Sequence, residues 1–230
     1  LSWIRAASQV TRVVNPLEIV EWNSDKRYLS ELIDTGIAVV PTQFIVDSTA
    51  TTVGSVVEVL GNDVVVKPSI SAGSHDTLRY RDAVGSSDDV RTHIQRIVDG
   101  GSVAMVQPYQ SGIDNAGETG MVWLNGELSH SFRKGAILRE EPDMGNGLYA
   151  AEDIAGRTAT ATEVELGERI MHFLVEKFGS PPVYARIDVI PQAAGEPQLM
   201  ELELVEPSFF LAYAEGAADR AASVFANAAR

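Results

Sequence analysis

Two short runs late in the chain, Tyr184-Ala185-Arg186-Ile187-Asp188-Val189-Ile190 and Gln198-Leu199-Met200-Glu201-Leu202-Glu203-Leu204, alternate charged with apolar residues. Residues two apart in an extended strand share a face, so Arg186 and Asp188 project together, as do Glu201 and Glu203. Ile187, Val189, Leu202 and Leu204 fall on the opposite face, which can be core. A fold holding this pair must place three carboxylates and a guanidinium on one sheet surface. Such a surface packs poorly but suits divalent cations and polyphosphate.

A second feature lies upstream. Val64 to Lys67 reads as a buried strand running into Pro68-Ser69-Ile70-Ser71-Ala72-Gly73-Ser74. A loop of hydroxyl and glycine residues can bring backbone N–H groups close to phosphate, with the lysine as a point charge. The GxxxxGK[ST] spacing of a P-loop is absent. Taken alone, the segment reads equally well as an ordinary surface turn.

Other chemistries are narrowed by what the chain lacks. It has no cysteine, which removes disulfides, thiolate metal sites and cysteine nucleophiles and fits a reducing, cytoplasmic compartment. His75, His93, His130 and His172 show no HxxxH or HxH spacing, which argues against a zinc site, although His75 and His130 lie near candidate site segments. A net charge of -14 disfavours nucleic acid and anionic membrane as partners, but not a small anion in a locally basic pocket. No signal peptide or spanning segment is visible. The 230 residues suffice for a substantial core in one domain or two lobes.

Strand pairs alternate with single helices, which predicts an α+β organisation in two lobes. Residues 1–14 read as a helix with no methionine before it, and the expectation is that something preceded it. Asn23-Ser24-Asp25 reads as the cap of a helix from about Lys26 to Asp34. Ile37 to Val46 reads as a strand interrupted by Pro41. Helices are expected over about 51–60 and 86–98, and a strand over 102–109. Gln110 to Ala116 reads as a polar loop. Asn125-Gly126 predicts a tight hairpin between 118–124 and 127–134. Thr162 to Phe178 has the period of an amphipathic helix, and Ala212 to Arg230 is an alanine-rich helix compatible with a homodimer. Residues 135–158 lack a period and read as a lid or a crossing segment.

In this order the motifs resemble the ATP-grasp superfamily. The segments Trp22 to Leu29, Lys67 to Gly73 and Glu201 to Ser208 are most similar to the group that includes D-cycloserine-forming and glutathione-synthetase-like ligases. Fuller members of that group carry an additional N-terminal domain, and the expectation is that it is missing from residues 1–230. The resemblance covers nearly the whole chain. It implies an α+β ATP-grasp fold of two lobes with nucleotide between them. Residues 1–42 would be linker helices and the start of the region, 43–107 the small lobe, and 108–230 the large lobe with the metal site.

The resemblance also implies roles. Lys26 and Lys67 would neutralise the α and β phosphates of ATP, with Ser71, Gly73 and Ser74 closing over the terminal ones. Gln107 and Tyr109 belong to the hinge that holds adenine, and Glu118 matches the residue that meets ribose. Asp188, Glu201 and Glu203 would hold two Mg2+ ions, or Mn2+ in their place. Glu203 departs from the commoner asparagine. Arg186 would stabilise an oxyanion and Lys134 would assist at the γ-phosphate or acyl oxygen. The implied activity joins small-molecule carboxylate and amine substrates through an acylphosphate, with cyclisation of the D-cycloserine type left open beside peptide-like ligation. Two readings compete: an ATP-dependent kinase, and a non-catalytic nucleotide-binding module.

Overall fold

A computed structural model describes residues 1–71, 73, 75–136, 153–192 and 196–230. Ser74 and most of the 135–158 segment therefore lie outside the described residues. The chain opens with three short helices, α1 (Ser2–Ser8), α2 (Leu17–Asn23) and α3 (Tyr28–Asp34). Then come β1 (Gln43–Ile45), α4 (Val53–Leu60), β2 (Val64–Pro68), β3 (Leu78–Tyr80), α5 (Ser87–Asp99) and β4 (Ala104–Pro108). The remainder is α6 (Gly112–Ala116), β5 (Glu118–Leu124), β6 (Glu127–Lys134), β7 (Ile154–Gly156), α7 (Ala161–Phe178), β8 (Tyr184–Ile190), β9 (Gln198–Glu203), a 3-10 turn (Leu211–Tyr213) and α8 (Ala217–Ala228).

These elements form two compact units. One is built on Val39–Ser111, and the other on Leu1–Ala38, Gly112–Gly135 and Asp153–Arg230.

In the Val39–Ser111 unit an antiparallel sheet runs β1-β4-β2-β3. Val64, Val66, Ala104 and Val106 pack with Val56, Leu60, Val90, Ile94 and Ile97 of α4 and α5. Val65 pairs with Gln107 and Lys67 with Met105, so these four residues share the face turned away from those helices.

In the other unit the sheet is β7-β6-β5-β8-β9, also antiparallel. The face carrying Thr119 and Trp123 lies against α7. A Cβ on Gly167 would stand 2.5 Å from the Trp123 ring, and the Thr119 hydroxyl donates to Glu163. The α7 N-terminus is closed by a capping box between Thr160 and Glu163. On the opposite face, Val122, Leu124, Phe132 and Tyr184 pack with Phe209, Phe210 and α8 residues Ala221, Val224 and Phe225.

The hairpin turn is as expected, with Asn125 and Gly126 at φ 52° and 85°, the paired positive values of a tight two-residue turn. Elsewhere the structure corrects the sequence reading. The first helix ends at Ser8 and leaves Trp3 77% exposed. Residues 17–23 form α2, and Gly112–Ala116 is helical rather than a loop because Ile113 turns into the core. Pro41 cannot donate to a ladder, and of the run around it only Gln43–Ile45 is a strand. Asn23 does not cap α3, which begins at Tyr28 after Arg27. Its amide is committed to β9 instead, donating to Leu202 and accepting from Leu204. No helix among the described residues is long and apolar enough to cross a membrane.

Candidate active site

Antiparallel register brings the charged residues together. Asp188 stands opposite Glu201 and Arg186 opposite Glu203 on β8 and β9, while Glu118 stands opposite Lys134 on β5 and β6. Directly opposed residues share a face. All six therefore occupy the face away from α7, beside the aromatic cluster around Phe132. Strand β8 is buried along its whole length, so this is not an open charged surface: Arg186 is 4% exposed and Asp188 0%.

Burial at that level demands pairing. Arg186 donates from Nε and Nη2 to the two Asp188 oxygens, both at 2.9 Å. Nη2 also donates to Glu203, and Nη1 reaches the Ser208 carbonyl at 3.3 Å. The Lys134 ammonium lies 3.0 Å from Asp188 and 3.3 Å from Glu118. Lys26 lies 3.2 Å from Glu201.

Protonation follows from these contacts. Burial alone would raise the Asp188 carboxyl, but Arg186 and then Lys134 outweigh it and hold it down to about 2. Glu203 goes the other way. Burial, reinforced by Glu201 and Asp188 and only partly opposed by Arg186, pushes it up to about 8. Burial likewise raises Glu118 against the pull of Lys134, and it raises the Tyr28 phenol, with Glu201 adding to the effect. The cluster has more carboxylate than its cations balance.

That imbalance bears on whether a metal fits. Asp188, Glu201 and Glu203 each offer an oxygen, and these oxygens lie within 4.8 Å of one another. Oxygen donors converging in a region short of positive charge match the preference of a hard divalent cation. The residues present fit such an ion.

The remaining candidates belong to the Val39–Ser111 unit or lie outside the described residues. Lys67 and Gln107 share one sheet face, and the buried Gln107 amide donates to Thr42 at 2.9 Å. The Tyr109 ring lies under the Arg79 guanidinium, 3.2 Å from ring centroid to Cζ. Arg79 is itself held by a bidentate pair with Asp63 at 2.9 and 2.7 Å. The Ser71 hydroxyl turns back to the Pro68 carbonyl at 3.4 Å, and Gly73 takes φ 60°.

Sequence reasoning did not find the pairing of Lys26 with Glu201, which joins distant segments and leaves no local spacing, nor that of Glu118 with Lys134 at the ends of the expected hairpin, where a register shift between Val122 and Trp123 displaces the count from the turn by one residue. It also did not find the role of Tyr28, whose hydroxyl both donates to and accepts from Leu202 of β9 at 2.9 Å.

No family model matches the chain. Among known proteins, the cycloserine biosynthesis protein DcsG of Streptomyces lavendulae is 31% identical over 239 residues, spanning 99% of this chain and 77% of that protein. The crystal structure of D-cycloserine synthetase DcsG superposes with a TM-score of 0.88 at 29% identity, covering 100% of this chain and 78% of the other. A RimK domain ATP-grasp protein from Sphaerobacter thermophilus matches with a TM-score of 0.65 at 19% identity, over 96% of this chain and 73% of that one. D-alanine–D-alanine ligase from Bacillus anthracis gives 0.62 at 17%, over 88% and 63%. These last two are alike in fold alone.

Proposed function

The chain belongs to the ATP-grasp superfamily as a relative of the DcsG-like cycloserine-biosynthesis ligases, and from that premise we propose how this ATP-dependent carbon–nitrogen ligase divides its work. The observation that carries the reading is the convergence of Asp188, Glu201 and Glu203 on one partly buried face beside Arg186 and Lys134.

The three carboxylates would hold two Mg2+ ions, which when bound draw charge off the transferring phosphoryl group. Lys134 and Lys26 would face the phosphate oxygens, partly exchanging carboxylate partners for them. Lys67, with Ser71, Gly73 and Ser74, would serve the phosphates. Gln107 and Tyr109 would hold adenine and Glu118 the ribose. On this reading 43–107 is the small lobe and 108–230 the large one.

A substrate carboxylate oxygen attacks the γ-phosphorus and ADP leaves, giving an acylphosphate. A nitrogen nucleophile then attacks the acyl carbon, and inorganic phosphate departs. Negative charge gathers on the acyl oxygen in that second step. Arg186 is suited to meet it, because Nε and Nη2 serve Asp188 and Glu203 while Nη1 makes the 3.3 Å contact with the Ser208 carbonyl. Where the nitrogen belongs to the same molecule the product is a ring. That D-cycloserine type of closure is the finer reading, supported by the named activity of the relative.

The test is calorimetric titration with ADP and a non-hydrolysable ATP analogue, with and without Mg2+, beside Lys67→Ala and Glu201→Ala. Mg2+-enhanced binding lost in both variants supports the reading, and no binding by folded wild type sinks it. Release of ADP and phosphate only when carboxylate and amine are both supplied separates a ligase from a kinase.

A further inference from the structure

Strand β9 is the last strand of its sheet; at its start the Leu199 N–H donates to the Ala38 carbonyl at 2.8 Å, and past the middle its outer edge is closed by side chains. In an antiparallel ladder alternate residues turn both N–H and C=O to the same side. Beyond Leu199 the outward groups belong to Leu202 and to Leu204, the residue just past the end of β9. The Tyr28 hydroxyl donates to the Leu202 carbonyl and accepts from the Leu202 N–H, both at 2.9 Å. The Asn23 amide donates to the same Leu202 carbonyl at 2.8 Å and accepts from the Leu204 N–H at 2.7 Å. Asn15 completes the edge, donating to the Leu204 carbonyl at 2.9 Å.

The need for such a clamp is visible on the other side of β9. Asp188 pairs with Glu201 but Val189 pairs with Leu199, so the register shifts where Met200 is bulged out. A bulge bends its strand and re-aims the side chains beside it. Glu201 is adjacent to that break, and the ladder to β8 alone leaves its direction weakly specified. Leu202 lies between Glu201 and Glu203. A rotation of its peptide groups about the strand axis would swing both carboxylates out of convergence. Tyr28 and Asn23 grip those groups through hydrogen bonds to the backbone.

We infer that Tyr28 and Asn23 are positioning residues for the acidic cluster: by clamping the Leu202 and Leu204 peptide groups they fix the direction in which Glu201 and Glu203 project. The inference rests on the metal-binding role proposed above for those carboxylates.

The test is a Mn2+ titration in the presence of ADP, with free Mn2+ read by electron paramagnetic resonance and thermal unfolding measured alongside. Tyr28→Phe removes the hydroxyl half of the clamp while keeping the ring on Trp22, and Asn23→Ala removes the amide half and leaves Tyr28 in place if the first variant does not fold. Thr160→Ala, which breaks the α7 capping box, serves as a control for lost stability alone. The expected result is Mn2+ affinity weakened roughly tenfold in both clamp variants, at the low end for residues that orient metal ligands, and unchanged in Thr160→Ala. Wild-type affinity in the clamp variants would overturn the positioning role and leave the metal site standing. A folded wild type that binds no Mn2+ would overturn the metal reading, and the positioning role with it.

Discussion

Lys134 and Asp188 meet at 3.0 Å although their strands are not neighbours, since β5 lies between β6 and β8. The lysine reaches across from the position opposite Glu118, so one ammonium is shared by carboxylates from two strands. Three strands are tied together by a charge that water scarcely reaches, with Lys134 6% exposed. Such a contact is costly to break from one side, because the partner is left as an uncompensated buried charge.

Lys134→Met should therefore destabilise the protein by roughly 3–5 kcal/mol, the range for removing one partner of a buried pair. Urea unfolding of the metal-free protein measures it. A loss under about 1 kcal/mol, typical of exposed pairs, would mean that water enters the cluster freely.

Metal dependence should appear as stability. A ligand present at a hundred times its Kd adds about 2.7 kcal/mol to the folded state. Mg2+ with ADP should raise the melting temperature correspondingly, EDTA should remove the Mg2+-dependent part, and Glu201→Ala should never show it. An identical rise with and without Mg2+ would count against the acidic cluster as a metal site.

Two glycines in helices should respond to alanine with opposite signs. Replacing a helical glycine by alanine normally gains up to about 1 kcal/mol. Gly54 in α4 has nothing nearer to a new Cβ than the Thr52 hydroxyl at 3.8 Å, and Gly54→Ala should stabilise. Gly167 packs on Trp123, where a Cβ would sit 2.5 Å from the ring, and Gly167→Ala should cost about 1–3 kcal/mol by overpacking. Differential scanning calorimetry of the two variants checks both signs.

The histidine at position 93 should make stability fall on the acid side. Burial holds its imidazole below the usual value, opposed by Asp76 and reinforced by Arg96. Its ring accepts from the Tyr80 hydroxyl and donates to Asp76, as the neutral form does. The unfolded chain takes up the proton first, near pH 6.5. This contribution is therefore complete above that pH and lost as pH falls through it towards the lower folded value. Wild type should lose more of its urea midpoint than His93→Gln between pH 7.5 and 5.5. Parallel curves would refute the assignment.

What could be read from the chain were features that repeat over a few residues. The alternation in 184–190 and 198–204 marks both acidic strands, because a period of two is local. Asn125-Gly126 fixes a turn, and the apolar period of 162–178 fixes α7 to within a residue. What could not be read is what those strands meet. Hydrogen bonds from Asn23 and Tyr28 to β9 span 174 to 181 positions, and no spacing announces them. Asn23 looked like a cap because capping and edge-sealing call for the same short amide. The extent of burial was hidden too. Alternating charge suggests one wet face, whereas Arg186 and Asp188 are covered on both sides and neutralise each other.

The closed edge of β9 also sets an order of events during synthesis. The ribosome makes Asn15, Asn23 and Tyr28 long before Leu202 and Leu204, so the groups that seal the strand wait while 174 to 189 positions of chain are added. Contacts of such long separation form late. A nascent chain thus carries its acidic residues unassembled until β9 reaches these partners, and the cluster closes only after both have left the ribosome.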